Sequence, residues 1–156
     1  ALSALNGRKL AWLRNGAFGF VFQTPHVIPH KTVAENVALP FQYGRPSPRT
    51  AMWHSLDSLL NYVGLAELAA RYPNTLSGGE LQRLVFARAL IKDPFVIFAD
   101  EPTGTLDAEN SRHLLELLCG QAQRGKSIVM ASHDPSALQY GTSRLDLDKF
   151  SDVSAD

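Results

Sequence analysis

At 156 residues and 45% hydrophobic, the chain is long enough for one domain with its own core. Its 15 basic and 15 acidic side chains cancel, and the basic ones are scattered apart from Arg8-Lys9, so there is no electrostatic footprint for nucleic acid or anionic lipid. No apolar run approaches bilayer-spanning length, the amino end as it stands shows no signal-peptide core, and the lone Cys119 excludes an internal disulfide and fits a reducing compartment. Cys119 lies among leucines in a helical pattern, which predicts a buried, inert thiol. Ala1 in place of methionine leads to the expectation of a processed or cut end.

In chain order, the first apolar run is FGFVFQ (18–23), which finishes on Gln23. Thr32 and Glu35 then have capping-box spacing ahead of NVAL, and Pro40 is expected to close that short helix. RPSPR (45–49) is a proline-rich turn, and an amphipathic stretch from about Ala51 to Val63 stops at Gly64. A nearly all-apolar helix opens on Ser77-Gly78-Gly79-Glu80 and is interrupted only by Gln82, Arg83, Arg88 and Lys92, so it is largely buried. FVIFADE (95–101) is the second apolar run and ends on two carboxylates. Asp107 can cap a helix whose Leu114, Leu115, Leu118 and Ala122 share a face, with Gly125 as its stop. The third run, SIVMASH (127–133), leads to Asp134-Pro135, a cap and a first-turn proline for one more helix. Continuous apolar runs of this length predict strands buried on both faces of a parallel sheet, and the helical patterns between them predict βαβ crossovers.

Two features of this layout point to chemistry. Ligands of open parallel sheets sit beyond the carboxyl ends of the strands, and those ends carry Gln23, Asp100-Glu101 and His133. An amide, two carboxylates and an imidazole in one crevice suit metal and phosphate chemistry; the bland alternative is three ordinary strand ends with polar exits. Ser77 has capping-box spacing to Glu80, and the bare Gly78 and Gly79 leave the positive end of the helix open to an anion. The bland alternative there is a glycine-rich turn before a core helix.

The motifs taken together are more specific than any one of them. LSGGELQR (76–83) resembles the signature motif of ATP-binding cassette (ABC) ATPases, and FVIFADE resembles their Walker B strand with its following glutamate. TGTLD (103–107) is similar to the D-loop, Gln23 after FGFVF to the Q-loop, and His133 in ASHD to the switch histidine, all in the family's order. PHKTVAENVALPF (29–41) further resembles the subgroup serving lipoprotein release and macrolide efflux. The resemblance implies an α/β fold, a partial RecA-like P-loop NTPase sheet, mostly parallel, with a helical subdomain inserted at about 27–80 between core segments 1–26 and 81–150. It implies that Asp100 and Gln23 hold Mg²⁺, that Glu101 is the general base, and that Gln23 also senses the attacking water. His133 would contact the γ-phosphate of ATP. Ser77, Gly78 and Gly79 would bind the γ-phosphate held by an opposite subunit, and Asp107 would couple the two composite sites. The implied partners are a transmembrane permease and a second ATPase subunit, in a homodimer or pseudo-dimer, with no nucleic acid. The implied place is the cytoplasmic face of the inner membrane, peripherally attached.

A Walker A loop, G-x-x-x-x-G-K-[ST], is missing from the place that this resemblance requires. GQAQRGKS (120–127) fits the bare pattern, but it follows a helix and leads into a strand, whereas a P-loop does the reverse, so it is read as coincidence. The chain therefore resembles the carboxyl-terminal two-thirds of an ABC ATPase domain. In RecA-like sheets the Walker A strand is interior, so its loss is expected to leave the SIVMAS strand beside an unpaired edge. The leading function is the ATP-hydrolysing subunit of an ABC transporter, with the 156 residues alone inactive. The alternative is a non-catalytic ABC-fold partner that contributes only the signature half-site; a permease-free ATPase of DNA repair or translation is disfavoured by TVAENVALP. The remaining candidates are bland: Pro29 separates His26 from His30, His54 and His113 fall in helical stretches, and Trp12 and Trp53 suit packing.

Overall fold

A computed structural model of the chain describes residues 16–42 and 56–146. Strands β1 (Phe18–Phe22), β2 (Val96–Asp100) and β3 (Ser127–Ala131) form a parallel sheet in the order β1-β2-β3. Their register aligns Phe22, Asp100 and Ala131, so all three strands deliver their exits to the same end. Between them run the helices α1 (Val33–Ala38), α2 (Leu56–Tyr62), α3 (Gly78–Leu90) and α4 (Ala108–Gln123), and after β3 comes the short α5 (Pro135–Leu138).

Pleating divides each strand between two faces. Val21, Ile97 and Ala99 are buried in one cluster with Phe86, Ala87 and Leu90 of α3 and Leu114, Leu115 and Leu118 of α4. Fully burying a side chain such as Phe86 or Leu90 is worth about 1.5–3 kcal/mol, so this seam dominates the stability of the core. Gly19 allows α3 to lie directly on β1, because a Cβ there would stand 2.8 Å from the Ala89 carbonyl oxygen. Among the described residues, no helix covers the opposite face. Phe20, Phe22 and Val129 are 40%, 46% and 53% exposed, and Phe20 stacks on Phe98 with ring centroids 5.5 Å apart. Among the described residues, the expectation of strands buried on both faces is corrected: helices cover one face, and the apolar side chains of the other pack mainly on each other.

The expected unpaired edge beside SIVMAS is present among the described residues: β3 is the last strand of the sheet, and its edge away from β2 has no strand partner. Its other edge pairs with β2 along its whole length, from Val96↔Ser127 to Asp100↔Ala131.

Capping chemistry sets the helix starts. Thr32 and Glu35 form the expected capping box on α1, with Thr32 N donating to Glu35 Oε2 at 2.8 Å. The α-helix stops at Ala38 with Leu39 as its C-cap, just before Pro40 as expected, and a separate 3-10 turn follows over Leu39–Gln42, where proline's missing N–H costs nothing in a first turn. Buried Asn36 ties down the preceding loop, accepting from Ile28 N and donating to the carbonyls of Ile28, Lys31 and Thr32. The RPSPR turn and the beginning of the 51–63 stretch lie outside the described residues; α2 ends at Gly64, whose φ of +70° suits glycine. Tyr62 then joins α2 to α4, donating to the Leu117 carbonyl at 3.2 Å and accepting from Gln121 Nε2 at 3.0 Å. Asp107 caps α4 and Asp134 caps α5, as their spacing predicts. Cys119 is half-buried, and desolvation raises its thiol pKa, which suits an inert side chain.

GQAQRGKS forms the last turn of α4, a tight turn and the start of β3. Lys126 is committed there to a buried ion pair with Asp93 and to the Pro94 carbonyl at 3.0 Å. These residues precede β2 and β3, at the amino end of the sheet. The lysine of the bare P-loop pattern therefore points to the wrong end of the strands.

Candidate functional site

At the carboxyl end of the sheet, the chain turns sharply where β2 stops. Asp100 is exposed, and Glu101 takes a left-handed backbone conformation, with φ 43°, which a non-glycine residue adopts at a cost of about 1–3 kcal/mol. Hydrogen bonds hold it there: Glu101 N donates to the Ala131 carbonyl at 2.9 Å, and its own carbonyl accepts from Gly104 N at 3.1 Å. This turn swings the Glu101 carboxylate across the exit of β3. Its Oε1 accepts from His133 N at 2.8 Å, its Oε2 accepts from Ser132 Oγ at 3.4 Å, and His133 Nε2 stands 3.7 Å away. The His133 ring is otherwise fully exposed, while the Glu101 side chain is only 23% exposed, so an anchored carboxylate faces a free imidazole.

Gln23 arrives from β1. Its Nε2 lies over Gly104, where an added Cβ would stand 2.8 Å from it. Gln23, Glu101 and His133 are thereby gathered around the 101–104 turn, with Asp100 beside them at the end of β2. The donors suit a hard cation: a carboxylate and an amide oxygen. Among the described residues no group of three or more His, Cys, Asp or Glu side chains could hold a metal by itself.

The glycine-rich turn forms a second group. Ser77 caps α3, accepting from Glu80 N at 3.3 Å, and Ser77 N donates to Glu80 Oε2 at 2.7 Å. The backbone N–H of Ser77, and then its hydroxyl, hold the Glu80 carboxyl below its usual range. Helix geometry leaves the Gly78 and Gly79 N–H groups without intrahelical acceptors. The two glycines answer to different demands. The Cβ direction of Gly78 is open space, whereas that of Gly79 is filled by the Asn110 carboxamide of α4. Asn110 in turn meets Asp107, with its N–H donating to Oδ1 and its Nδ2 to Oδ2, both at 2.8 Å. Ser77, Gly78, Gly79 and Asp107 are therefore one connected set, joined by a residue that the sequence did not single out.

Two more residues were visible in the sequence only as interruptions. Gln82, fully buried, donates from Nε2 to the Phe22 carbonyl, and Arg88 donates to the His26 carbonyl, so α3 grips the chain on both sides of Gln23. The signal for Gln82 was its spacing, one and two turns before Phe86 and Leu90 on the buried stripe. Asn110 offered only its distance of one helical turn from Asp107.

A family model described as ABC transporter matches residues 4–104. The chain belongs to the ABC transporter family. It is 40% identical over 139 residues to the macrolide export ATP-binding/permease protein MacB of Chlorobaculum tepidum, which covers 89% of this chain and 21% of that protein. It is also 40% identical over 141 residues to an uncharacterized ABC transporter ATP-binding protein of Thermotoga maritima, covering 90% of this chain and 60% of the relative. Among solved structures, the dimeric post-hydrolysis state of the ATP-binding cassette MJ0796 bound to ADP and Pi superposes with a TM-score of 0.74 at 34% identity, over 88% of this chain and 61% of that one. The parallel sheet with its helices is thus part of the α/β fold of an ABC ATPase cassette, and the chain spans about one-fifth of the length of the MacB relative and about three-fifths of the Thermotoga maritima protein and the MJ0796 cassette.

Proposed function

We propose that this ABC family member is the ATP-binding and ATP-hydrolysing subunit of a transporter, driving a membrane permease through ATP-dependent pairing with a second ATPase subunit. The observation that carries this reading is the anchored Glu101 carboxylate facing an exposed His133 beside Asp100 and Gln23. Asp100 and Gln23 are the residues to hold Mg²⁺, which when bound neutralises charge on the β- and γ-phosphates of ATP. Glu101 takes the proton of the attacking water, held in place by Ser132 and the His133 backbone. His133 reaches from solvent to the γ-phosphate. Ser77, Gly78 and Gly79 present a capped helix start to the γ-phosphate of the opposite subunit, and Asp107 lies against that subunit's site. Such chemistry needs positioning and charge neutralisation more than covalent help.

The permease partner is supported by the printed name of the MacB relative, an ATP-binding/permease protein, and pairing by the dimeric MJ0796 cassette. No helix among the described residues is long and apolar enough to cross a membrane. We place the subunit peripherally, at the cytoplasmic face of the inner membrane, with residues 27–80 as the helical subdomain that meets the permease.

The test is Glu101→Gln in the full-length protein. Gln retains an acceptor for His133 N but not the basicity, so turnover falls by roughly 10²–10⁴-fold while ATP binding survives. Near-normal turnover removes Glu101 from the role. A second reading, the non-catalytic partner subunit, rests on the commitment of Lys126 to Asp93, which takes the one lysine in a P-loop-like string away from the site. Undetectable turnover in the wild-type full-length protein, with ATP-dependent pairing to another ATPase retained, selects that reading.

A further inference from the structure

The bare Cα of Gly79 is demanded by this chain's own packing, whereas the open space at Gly78 is what an approaching phosphate would use. A Cβ on Gly79 would overlap both Oδ1 and Cγ of Asn110. An asparagine can ordinarily swing aside, but this one is held at both ends of its carboxamide. Its Nδ2 donates to Asp107 Oδ2 at 2.8 Å, and its Oδ1 accepts from Arg83 Nη1 at 3.1 Å. Its backbone N–H is also bound, to Asp107 Oδ1 at 2.8 Å. Arg83 belongs to α3, one turn beyond Gly79, and Asp107 is the cap of α4. The Asn110 side chain is thus wedged between the first turn of one helix and the cap of another, with bonds to each.

We infer that Asn110 is a positioning residue that locks the glycine turn of α3 to the Asp107 cap of α4, so that the two elements facing the second subunit move as one piece. This rests on the reading of Ser77–Gly79 and Asp107 as the surface presented to the opposite ATP. If each element moved freely, pairing would have to order them separately and would lose affinity to that entropy. The lock orders them in advance.

The test is a pair of substitutions and their combination in the full-length protein, in a Glu101→Gln background that retains ATP. Asn110→Ala is expected to weaken ATP-dependent dimerisation, measured by sedimentation, by about tenfold, with ATP affinity of the monomer unchanged. Gly79→Ala is expected to abolish dimerisation by driving Asn110 off Asp107 and Arg83. The combination Gly79→Ala with Asn110→Ala is expected to recover to the level of Asn110→Ala alone, because the clash is gone. A double variant as inactive in dimerisation as Gly79→Ala overturns the inference, since the glycine then serves only the phosphate. Asn110→Ala that lowers monomer ATP affinity and dimerisation alike also overturns it, as a general structural defect. If the unsubstituted protein neither binds ATP nor pairs with it, the proposed function has failed. Melting temperatures of the same variants then judge the lock: the double variant must melt above Gly79→Ala, and equal or lower melting overturns it.

Discussion

Gln82 Nε2 donates to the Phe22 carbonyl oxygen at 2.8 Å across 60 residues of sequence, joining the helix of the glycine-rich turn to the last residue of β1. Phe22 immediately precedes Gln23, so a buried amide on α3 holds the backbone from which the proposed Mg²⁺ ligand projects. Gln82→Leu keeps the volume but removes the donor. It is expected to destabilise the fold by about 1–3 kcal/mol, because the buried carbonyl loses its partner. Turnover of the full-length protein should fall several-fold with ATP affinity preserved. Urea denaturation and steady-state kinetics on one preparation check both; unchanged turnover with lowered stability makes Gln82 a packing residue only.

Acid pH is expected to loosen the cap that joins the two helices. The Asn110 backbone N–H, and next its side-chain amide, hold the Asp107 carboxyl below its usual value of 3.8. A depressed folded-state pKa means that its stabilisation is complete above the unfolded value and disappears as pH falls through the lower folded one. Asp107→Asn should therefore lower the melting temperature at neutral pH, and the difference from wild type should shrink below about pH 4. A difference that stays constant down to pH 2.5 shows that the charge of Asp107 is not what caps α4.

Lys126 provides the converse control. Its side chain and that of Asp93 are 6% and 7% exposed, so Lys126→Ala leaves a buried carboxylate without its partner. The expected cost is about 3–5 kcal/mol in chemical denaturation, with the ATP affinity of the remaining folded protein unchanged. Loss of ATP affinity without loss of stability would instead make GQAQRGKS a phosphate loop.

The 156 residues expressed alone are expected to show no ATP turnover above background, since the lysine available in a P-loop-like string is engaged at the other end of the sheet. They are also expected to self-associate. Phe20, Phe22 and Val129 expose an apolar sheet face of the kind that seeks a partner. Phe20→Lys with Val129→Lys should shift the sedimentation profile towards monomer. Turnover in this chain that Glu101→Gln abolishes would overturn the first expectation, and a wild-type chain that remains monomeric would overturn the second.

Local chemistry made the punctuation of the fold legible. The caps at Thr32, Ser77, Asp107 and Asp134 and the stop at Gly125 depend on side chains within a few residues of the backbone they satisfy, so the sequence by itself determined them. The parallel sheet, and the delivery of Gln23, Asp100-Glu101 and His133 to one end, followed from the apolar runs and their polar exits. Tertiary structure alone decided which strand face is covered, because Phe20 and Val21 are equally apolar and only the placement of α3 distinguishes them. It also decided that β2 and β3 are direct neighbours, that Lys126 belongs to Asp93, and that Glu101 takes a left-handed turn onto the exit of β3. Asn110 shows the limit most plainly. Its contact with Gly79 spans two helices, and no periodicity within either one records which side chain the other will bring.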